Sequence, residues 1–474
     1  MKITESVVIV AYILTMICIG VFTQKRAHSG EENFWVAGRR IGIGIGAVAN
    51  YSMLTSASSY MGSIGLGYKF GLAYYLAYAV GVAALWQAGL YLTTSQMRQS
   101  GAQTIADVFE MRYGPTGKFL AASFTLPFIG LFLIPQFKAA GLIGSHILGI
   151  PFAAALAIMG LVVIFYASVG GMWAVTLTDL IQGGVMIIMS ATLGIVAMVS
   201  FGGPGDLFAA AIKGHPDFGG INLPLTSYLG LFVAFILYLI VSPSTAMRIF
   251  SAEDARVARK QVSWANFLYQ FVWIFAIFTV AGAVAADPGL KNADQALLVA
   301  AEFFLPPVLA GIMMASILAA IMSSADGSLL AVSAAISHDL YAKFFNKQAT
   351  EKQTIKVGMI SMWTVGILMI LLTLNPLPLI SVLVALINGW MASTFAFPII
   401  LGIWWRRANL PGAVAGMLAG TATFLFLYLT KIVPMVAEVV FAVPVSGIAM
   451  VIVSLLTMAP DSKYVRTMES WHEI

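Results

Sequence analysis

Thirteen apolar runs, each long enough to cross a lipid bilayer, dominate the 474-residue sequence. Because a chain inside lipid has to satisfy its own backbone hydrogen bonds, such runs predict membrane-spanning helices. Only 9% of the residues are charged, whereas a soluble domain carries roughly a quarter. We therefore expect an all-α polytopic membrane protein, with one transmembrane domain over residues 1–474. The predicted spans are residues 6–23, 41–66, 71–96, 118–148, 151–169, 172–200, 224–247, 262–286, 304–340, 355–374, 378–404, 411–430 and 437–458.

The distribution of basic residues predicts the orientation of these spans. With the N-terminus outside, 19 of the 25 Lys and Arg residues fall on the cytoplasmic side, 5 fall outside, and Lys138 lies within a span. This bias follows the positive-inside rule, so we expect a multi-pass protein of the cell (plasma or inner) membrane with a cytoplasmic C-terminus. The net charge of +5 arises from the same asymmetry and does not indicate a nucleic-acid partner. We expect a monomer or a loose oligomer in the bilayer.

The reactive residues argue against an enzyme. Cys18 is the single cysteine and lies in an apolar run, so neither a disulfide framework nor a cysteine-based metal site is expected. The five histidines show no spacing with Asp or Glu that is typical of a metal site, and no glycine-rich phosphate loop follows a strand. The sequence therefore predicts a protein without catalytic machinery.

Polar residues in the ninth span form a candidate cation site. Ala320, Ser323 and Ser324 lie at positions i, i+3 and i+4, so one helical face carries two hydroxyls about one turn from a backbone carbonyl. Hydroxyl and carbonyl oxygens suit a hard cation such as Na⁺, although small residues in membrane helices also serve only for close packing. Asp326 follows in the same span, where an ionisable residue indicates either function or a polar structural partner.

Two spans contain features that interrupt a helix. The stretch 50–59 of the second span is polar and rich in Ser, and Pro243 lies near the end of span 224–247. Interrupted spans at corresponding places in two halves predict an inverted repeat with its binding site between them, here five spans over 41–200 and five over 224–404. A serine-rich packing surface and an ordinary proline kink are the alternatives.

Two further charges lie within predicted spans. Asp179 is placed about two turns into its span, where a charge is unfavourable by roughly 3 kcal/mol. It is a candidate second cation ligand, exit-path residue or hydrogen-bond acceptor for Thr178 or another helix. Lys138 either extends toward the interface or serves as the counter-charge of an anionic substrate.

Four motifs together resemble the sodium:solute symporter family, which includes sodium/proline, sodium/galactose, sodium/pantothenate and monocarboxylate carriers. The similarity runs from Tyr12 to about Arg407. The motifs are G-G-x-x-A-V-x-x-T-D-x-x-Q at 170–182, M-R-I-F-S-A at 247–252, A-A-I-M-S-S-A-D at 319–326 and L-G-I-W-W-R-R at 401–407.

The resemblance implies a leucine-transporter-like fold. It adds one extra N-terminal helix (6–23) and two extra C-terminal helices (411–458) to the five-plus-five repeat. It also implies a Na⁺ site made of main-chain oxygens at the first broken helix and oxygens of the Ala-x-x-Ser-Ser helix. Asp179 matches an acid that assists the ion on its way to the cytoplasm, and Tyr238 matches a tyrosine that closes the site inward. The implied Na⁺ ligands are Ser52, Thr55, Ala320 (carbonyl), Ser323 and Ser324 (hydroxyls).

Departures from the family pattern bear on the substrate. Leu54 stands where proline carriers have an aspartate, while Ser59 and Phe235 replace a glutamine and an asparagine of sugar carriers. The run 56–71 is similar to the pantothenate and monocarboxylate branch, which favours a carboxylate substrate. Hydroxyls and backbone N–H groups at a broken helix end would suit such a substrate. The candidate substrate-binding residues are Ser56, Ser58, Ser59, Gln136 and Lys138.

The resulting hypothesis is Na⁺-coupled symport of a small organic solute, such as a monocarboxylate or pantothenate-like acid, by alternating access. The alternatives are a proton-coupled symporter of an amino acid or sugar, with Asp179 or Asp326 carrying the proton, and a membrane sensor that acts through a separate partner. A passive channel is disfavoured because no continuous polar face runs through the spans.

Overall fold

The computed structural model describes residues 2–375 and 378–473. Within these ranges the regular structure is helical throughout, apart from one isolated bridge between Ile41 and Ala252. The predicted all-α class is therefore confirmed.

As far as residue 200, the described chain forms nine α-helices. Residues Ser58–Gly62 and Leu90–Thr94 form π-helical segments, and Ala37–Arg39 form a 3₁₀ turn. The helices are α1 (Lys2–Ala27), α2 (Glu31–Val36), α3 (Ile43–Leu54), α4 (Ser63–Phe70), α5 (Leu72–Gly89), α6 (Ser95–Gln99), α7 (Ile105–Tyr113), α8 (Pro115–Leu148) and α9 (Phe152–Ser200).

From residue 204 onward, the described part of the chain forms twelve α-helices. Residues Ala335–Phe345 continue α16 as a π-helical segment, and Pro216–Gly219 and Ala293–Gln295 form 3₁₀ turns. The helices are α10 (Pro204–Gly214), α11 (Leu225–Ile236), α12 (Tyr238–Val241), α13 (Pro243–Ser251), α14 (Ala255–Ala286), α15 (Ala296–Phe304), α16 (Pro307–Ala334), α17 (Glu351–Thr373), α18 (Ile380–Trp404), α19 (Leu410–Thr430), α20 (Glu438–Leu456) and α21 (Ser462–Ser470).

Ten helical stretches of the described chain are long and apolar enough to cross a membrane. The protein is thus an integral membrane protein with many spans. Thirteen were predicted, and the difference has two structural sources. The regions 41–66 and 224–247 are each divided into shorter helices, and 151–169 and 172–200 are joined in α9. The count of thirteen crossings stays a prediction.

Helix α9 bends sharply at Gly171. A straight helix of 49 residues would be about 74 Å long, more than twice the ~30 Å hydrocarbon core of a bilayer. Gly171 interrupts it with φ 52° and ψ −154°, a conformation that is essentially restricted to glycine. A Cβ atom there would also lie 2.9 Å from the carbonyl oxygen of Phe34. The glycine therefore permits both the bend and the close approach of α2.

Helix α16 lies at the centre of the protein. Every residue from Met313 to Ala334 is buried, and the helix packs against α1, α8, α9 and α17. Because no side of this stretch faces lipid, its polar side chains need partners within the protein. This position explains why serines and an aspartate occur in an apolar helix.

Candidate ion and solute sites

The first broken helix lies between α3 and α4. Helix α3 ends at Leu54, and Thr55 leaves helical geometry with φ −80° and ψ 76°. The Ser56 N–H donates to the Ser59 hydroxyl (2.7 Å), and the Ala57 N–H donates to Oε1 of Gln136 on α8 (3.0 Å). Side chains therefore satisfy the backbone donors that the break releases, as an interruption buried in protein requires.

Two serine hydroxyls of α16 face the end of α3. Ser323 Oγ donates to the carbonyl oxygens of Ser52 (3.0 Å) and Ala320 (3.1 Å). Ser324 Oγ donates to the carbonyl oxygen of Met53 (2.6 Å), and both serines are fully buried. The arrangement concentrates hydroxyl and carbonyl oxygens without a fixed charge of their own, which is the donor set that a monovalent hard cation requires.

Four of the five predicted Na⁺ ligands come together in this cluster: Ser52, Ala320, Ser323 and Ser324. Thr55 differs, because its hydroxyl donates back to the Tyr51 carbonyl (2.8 Å) and the residue lines a cavity. The carbonyl of Met53 lies opposite Ser324 instead. Met53 was not among the predicted ligands, because a main-chain oxygen leaves no signal in the type of its side chain.

Asp179 and Asp326 share a buried arginine. Arg248 donates to Asp179 Oδ2 through Nε (3.1 Å) and Nη2 (2.7 Å), and its Nη2 lies 3.9 Å from Asp326 Oδ1. Asp326 Oδ2 accepts a hydrogen bond from the Tyr166 hydroxyl (2.7 Å).

Thr178 donates within its own helix to the carbonyls of Ala174 and Val175. Asp179 is therefore the acceptor for another helix, not for Thr178. Arg248, which the charge count assigned to the cytoplasmic surface, is 3% exposed.

Two small cavities flank the first broken helix, each of about 20 Å³. The first, here the hydroxyl cavity, includes Thr55, Ser59 and Ser190 in its lining. The second, here the solute cavity, is lined by Met53, Leu54, Ser56, Tyr78, Val82, Phe132, Phe235, Tyr238, Tyr269, Val384 and Asn388.

The solute cavity combines aromatic walls with few polar groups. Apart from tyrosines, none of its described lining residues is ionisable. Asn388 is 1% exposed and its Oδ1 has no hydrogen-bond partner within the described chain. Such a cavity, apolar with a small number of convergent polar groups, is typical of a site for a small organic molecule. A volume of about 20 Å³ admits a water molecule, so a solute requires the walls to move apart.

The sequence profile of the sodium:solute symporter family matches residues 34–420. The chain belongs to the sodium:solute symporter family. It is therefore a Na⁺-coupled symporter of an organic solute, with Na⁺ as the coupling ion, and it is not an enzyme.

Relatives of this symporter agree with the assignment. The osmoregulated proline transporter OpuE of Bacillus subtilis (strain 168) is 27% identical, over 95% of this chain and 94% of OpuE. The substrate-bound outward-open state of a Na⁺-coupled sialic acid symporter superposes with a TM-score of 0.82 at 20% identity, covering 97% of this chain and 99% of that one. Closed Mhp1 with bromovinylhydantoin bound, a nucleobase-cation-symport-1 family transporter, gives 0.61 at 12% identity, covering 92% and 98%. The predicted family and its leucine-transporter-like fold are confirmed.

The predicted substrate-binding serines and Gln136 differ in whether they line a cavity. Ser56 lines the solute cavity and Ser59 the hydroxyl cavity. Ser58 contacts Ser381 of α18, which donates to the Ser58 carbonyl (3.0 Å), and Gln136 supports the broken helix at Ala57. Neither Ser58 nor Gln136 lines either cavity.

Lys138 has a partner of its own. Its ammonium donates to Asp294 Oδ2 (2.7 Å) and to the Pro378 carbonyl (2.8 Å), and Asp294 also accepts from the Ile380 N–H (3.2 Å). An ammonium that is paired with a buried carboxylate and lies outside both cavities does not act as the counter-charge of a substrate in this conformation. Lys138 instead connects α8, the turn before α15 and the start of α18.

Tyr238 lies at one end of the solute cavity. Its ring stacks on Phe132 of α8, with centroids 5.9 Å apart and planes 21° apart. Both residues also line a further cavity of about 10 Å³. The stacked rings thus border two cavities, and the gating role of Tyr238 stays a prediction.

Near the N-terminus of α8, charged residues that are distant in sequence form a buried cluster, here the α7 charge cluster. Lys118 Nζ lies 2.5 Å from Asp107 Oδ1 and 3.5 Å from Asp339 Oδ1. Possible ligand atoms of Asp107, His338 and Asp339 lie within 4.8 Å of one another, a convergence that the sequence spacing did not reveal. Because the ammonium of Lys118 lies among them, the arrangement is an ion-pair cluster. Its members are Glu31, Asp107, Glu110, Lys118, His338 and Asp339.

Asp107 is ionised within this cluster. Burial alone raises the pKa of its carboxyl, but the hydrogen bond with His338 and the charges of His338 and Lys118 outweigh this effect. They hold the pKa of Asp107 well below its usual value. Asp107 also accepts from the Thr104 N–H at the start of α7, so one carboxylate joins the helix cap to the cluster.

Proposed function

We propose that the solute is a small organic acid without a protonated amine, such as a monocarboxylate or a pantothenate-like acid. The observation that carries this proposal is the position of Met53. Met53 lines the solute cavity, and its carbonyl oxygen accepts a hydrogen bond from Ser324 in the candidate ion site. A cation bound there lies beside the solute and supplies the positive charge that the cavity walls lack. Each ligand then binds more tightly when the other is present.

The cavity chemistry supports an acid more than an amino acid or a sugar. Leu54 lines the cavity, and none of the described lining residues is an acid that would pair with an ammonium group. The relative OpuE is a proline transporter, and proline shares the carboxylate but adds an amine. The Ser56 hydroxyl and the amide N–H groups of Asn388 can donate to a carboxylate, whereas the aromatic walls offer few partners for a polyhydroxylated sugar.

For the ion, we propose the oxygens of Ser52, Met53, Ala320, Ser323 and Ser324 as ligands. Na⁺ and solute together favour closure around the first broken helix. The inner path then opens past Tyr238, and Na⁺ leaves toward Asp179. The membrane potential contributes roughly 2.3 kcal/mol per charge for each 100 mV, so inward Na⁺ movement drives accumulation of the acid.

The proposed topology has thirteen crossings. In it α9 supplies two crossings, one on each side of Gly171, and the divided segments 43–70 and 225–251 supply one crossing each. The repeats cover 41–200 and 224–404, with one extra helix before them and two after them. The N-terminus lies outside and the C-terminus in the cytoplasm of a plasma or inner membrane, and the unit is a monomer or a loose oligomer.

Uptake into proteoliposomes tests the proposal. An inward Na⁺ gradient should drive accumulation of a labelled acid, with acetate, pyruvate and pantothenate compared against proline and galactose. The same panel in a thermal-shift assay should give stabilisation that requires Na⁺, of about 2.7 kcal/mol at a hundred times Kd. Preference for proline or galactose would contradict the proposed solute class.

The ion site is tested by removing its hydroxyls. Ser323→Ala combined with Ser324→Ala should abolish Na⁺-dependent uptake in a folded protein. Ser337→Ala is the matched control, because Ser337 follows on the same continuous helix and donates only to the Ser333 carbonyl (2.7 Å). Unchanged Na⁺ activation in the double variant would remove the site assignment.

A further inference from the structure

Helix α13 joins the candidate ion site to a row of cavities. It follows the second interruption, where Ser242 caps it by accepting from the Thr245 N–H (3.4 Å). All nine of its residues are buried. Arg248 extends from this helix to α9 and α16, whereas Pro243 and Met247 line cavities. One short helix therefore contacts both the ion site and the space beyond the solute cavity.

Arg248 lies directly against the ion-site serine. Besides its two hydrogen bonds to Asp179, its Nη2 donates to the carbonyl oxygen of Ser323 at 3.3 Å. The same residue supplies, through its hydroxyl, one of the proposed Na⁺ ligands. While Arg248 stays there, its guanidinium is hydrogen-bonded to Asp179. Asp179 is the acid that was predicted to assist the ion on its way to the cytoplasm.

Gly327 shapes the seat for this guanidinium. A Cβ atom at Gly327 would lie 2.6 Å from Nη1 of Arg248 and 3.3 Å from its Cζ. Any larger residue at position 327 would push the guanidinium away from Asp179. Arg248 is 3% exposed, so its charge depends on the buried carboxylates for compensation.

Three cavities follow one another from the solute cavity toward the α7 charge cluster. The solute cavity and a middle cavity of about 10 Å³ share Phe132 and Tyr238. The middle cavity and a third one, also about 10 Å³, share Pro243. The third cavity reaches Thr104 and Asp339, which are hydrogen-bonded to each other (2.8 Å) at the charge cluster. Helix α13 lines both the middle cavity and the third cavity.

We propose that Arg248 is a latch that holds α13 shut, and that release of this latch opens the way for Na⁺ and for solute in a single movement. With the latch closed, the guanidinium fastens α13 to α9 and α16 and keeps the three cavities apart. When α13 moves away, Asp179 becomes free beside the ion site, and the wall formed by Pro243 and Met247 withdraws from the exit route. Arg248 is thus a positioning residue. Its release lets Na⁺ and the solute leave in the same conformational change, which is the structural requirement for tight coupling between ion and solute transport.

Cysteine labelling tests the latch without any solute. In a Cys18→Ala background, Ala122→Cys places a thiol in the third cavity, and Ala121→Cys places one on the neighbouring residue, which is equally buried but does not line it. Maleimide labelling is measured on the purified symporter in nanodiscs, in Na⁺ or in K⁺. With Arg248 intact, we expect Ala122→Cys to be protected by Na⁺. Arg248→Gln and Gly327→Ala should each raise its labelling rate in Na⁺ at least tenfold, and Arg248→Lys should give an intermediate rate.

Two comparisons separate the latch from a merely structural role. Arg248→Gln with Asp179→Asn removes both charges, so it avoids an unpaired buried carboxylate and should still label rapidly at Ala122→Cys. Ala121→Cys should stay slow in every background, which excludes general unfolding. Labelling of Ala122→Cys that is unchanged by Arg248→Gln, by Gly327→Ala or by the double change would overturn the proposal. Because no solute is present, the result is independent of the proposed solute class.

Discussion

The hydroxyl of Ser324 donates a 2.6 Å hydrogen bond to the carbonyl oxygen of Met53, a residue 271 positions earlier in the chain. This contact joins the centre of α16 to the last turn of α3, at the point where α3 stops being helical. The carbonyl is available because the following residues leave helical geometry. An interruption in one helix and a hydroxyl on another therefore create the candidate ion site together, and neither element forms it alone.

Met53 gives a prediction that separates ion binding from solute binding. Met53 lines the solute cavity, and Met53→Ala shortens this residue but keeps its carbonyl, so solute affinity should fall about tenfold. The Na⁺-dependent thermal shift measured without solute should change little. Met53→Leu conserves volume and should stay near wild type. An equal loss of Na⁺ affinity would show that the side chain, rather than the backbone, supports the ion.

The pair formed by Lys138 and Asp294 should act on stability more than on solute affinity. Asp294 is 1% exposed, and removing one partner of a buried pair destabilises by about 3–5 kcal/mol. Lys138→Gln should therefore lower the Tm strongly, and the addition of Asp294→Asn should restore part of the loss. Lys213→Gln, at an exposed position, serves as the control. A raised KM with an unchanged Tm would instead identify Lys138 as a substrate ligand.

Asp107 should give a defined pH dependence. Its pKa in the folded protein lies below the ~3.9 of an unfolded chain. The ionised carboxylate thus stabilises the fold fully above about pH 4, and this contribution is lost as the pH falls through the lower folded-state pKa. The difference in Tm between wild type and Asp107→Asn should stay constant from pH 8 to 5 and shrink only below about pH 4. A difference that already declines between pH 7 and 5 would contradict the assigned direction. Asp206→Asn, at an exposed position, serves as the control variant.

Gly62 should tolerate no side chain, because it packs against the first turn of α18. A Cβ atom there would lie 2.5 Å from Ser381 Oγ and 3.1 Å from the Ser381 nitrogen. Gly62→Ala should therefore destabilise the symporter by about 1–3 kcal/mol, with partial recovery when Ser381→Ala is added. The control is Gly44→Ala, since nothing lies within 4 Å of its Cβ position and alanine favours a helix. Similar Tm values for the two variants would show that α18 adjusts freely.

The sequence predicted the parts of the site that depend on side-chain spacing. Ser323 and Ser324 follow a helical repeat, so their common face could be derived before any contact was known. Met53 could not be derived in this way, because it contributes a backbone atom whose position depends on where α3 ends. The resemblance located the break and assigned its second carbonyl to Thr55, two residues further on, and that assignment stays a prediction.

Charged residues were harder to place than hydroxyls. Arg248 comes at the end of a span, where the positive-inside rule counts it with the surface arginines, and only the packing of α13 against α9 and α16 buries it. Lys138 and Asp294 are 156 positions apart, and sequence spacing says nothing about such a pair. The same holds for Asp107 and His338, which meet because α7 packs beside the end of the α16 helix.

The absence of fixed charge among the described residues of the solute cavity has a consequence for engineering. Leu54, Phe235 and Asn388 line that cavity, whereas the oxygens of the candidate ion site come from the backbone of α3 and from α16. If the proposed sites are correct, substitutions at these three positions should change the solute preference while the oxygens of the candidate ion site stay in place. Under the proposed assignment, the solute selectivity of this symporter can be changed while its coupling to the Na⁺ gradient is kept.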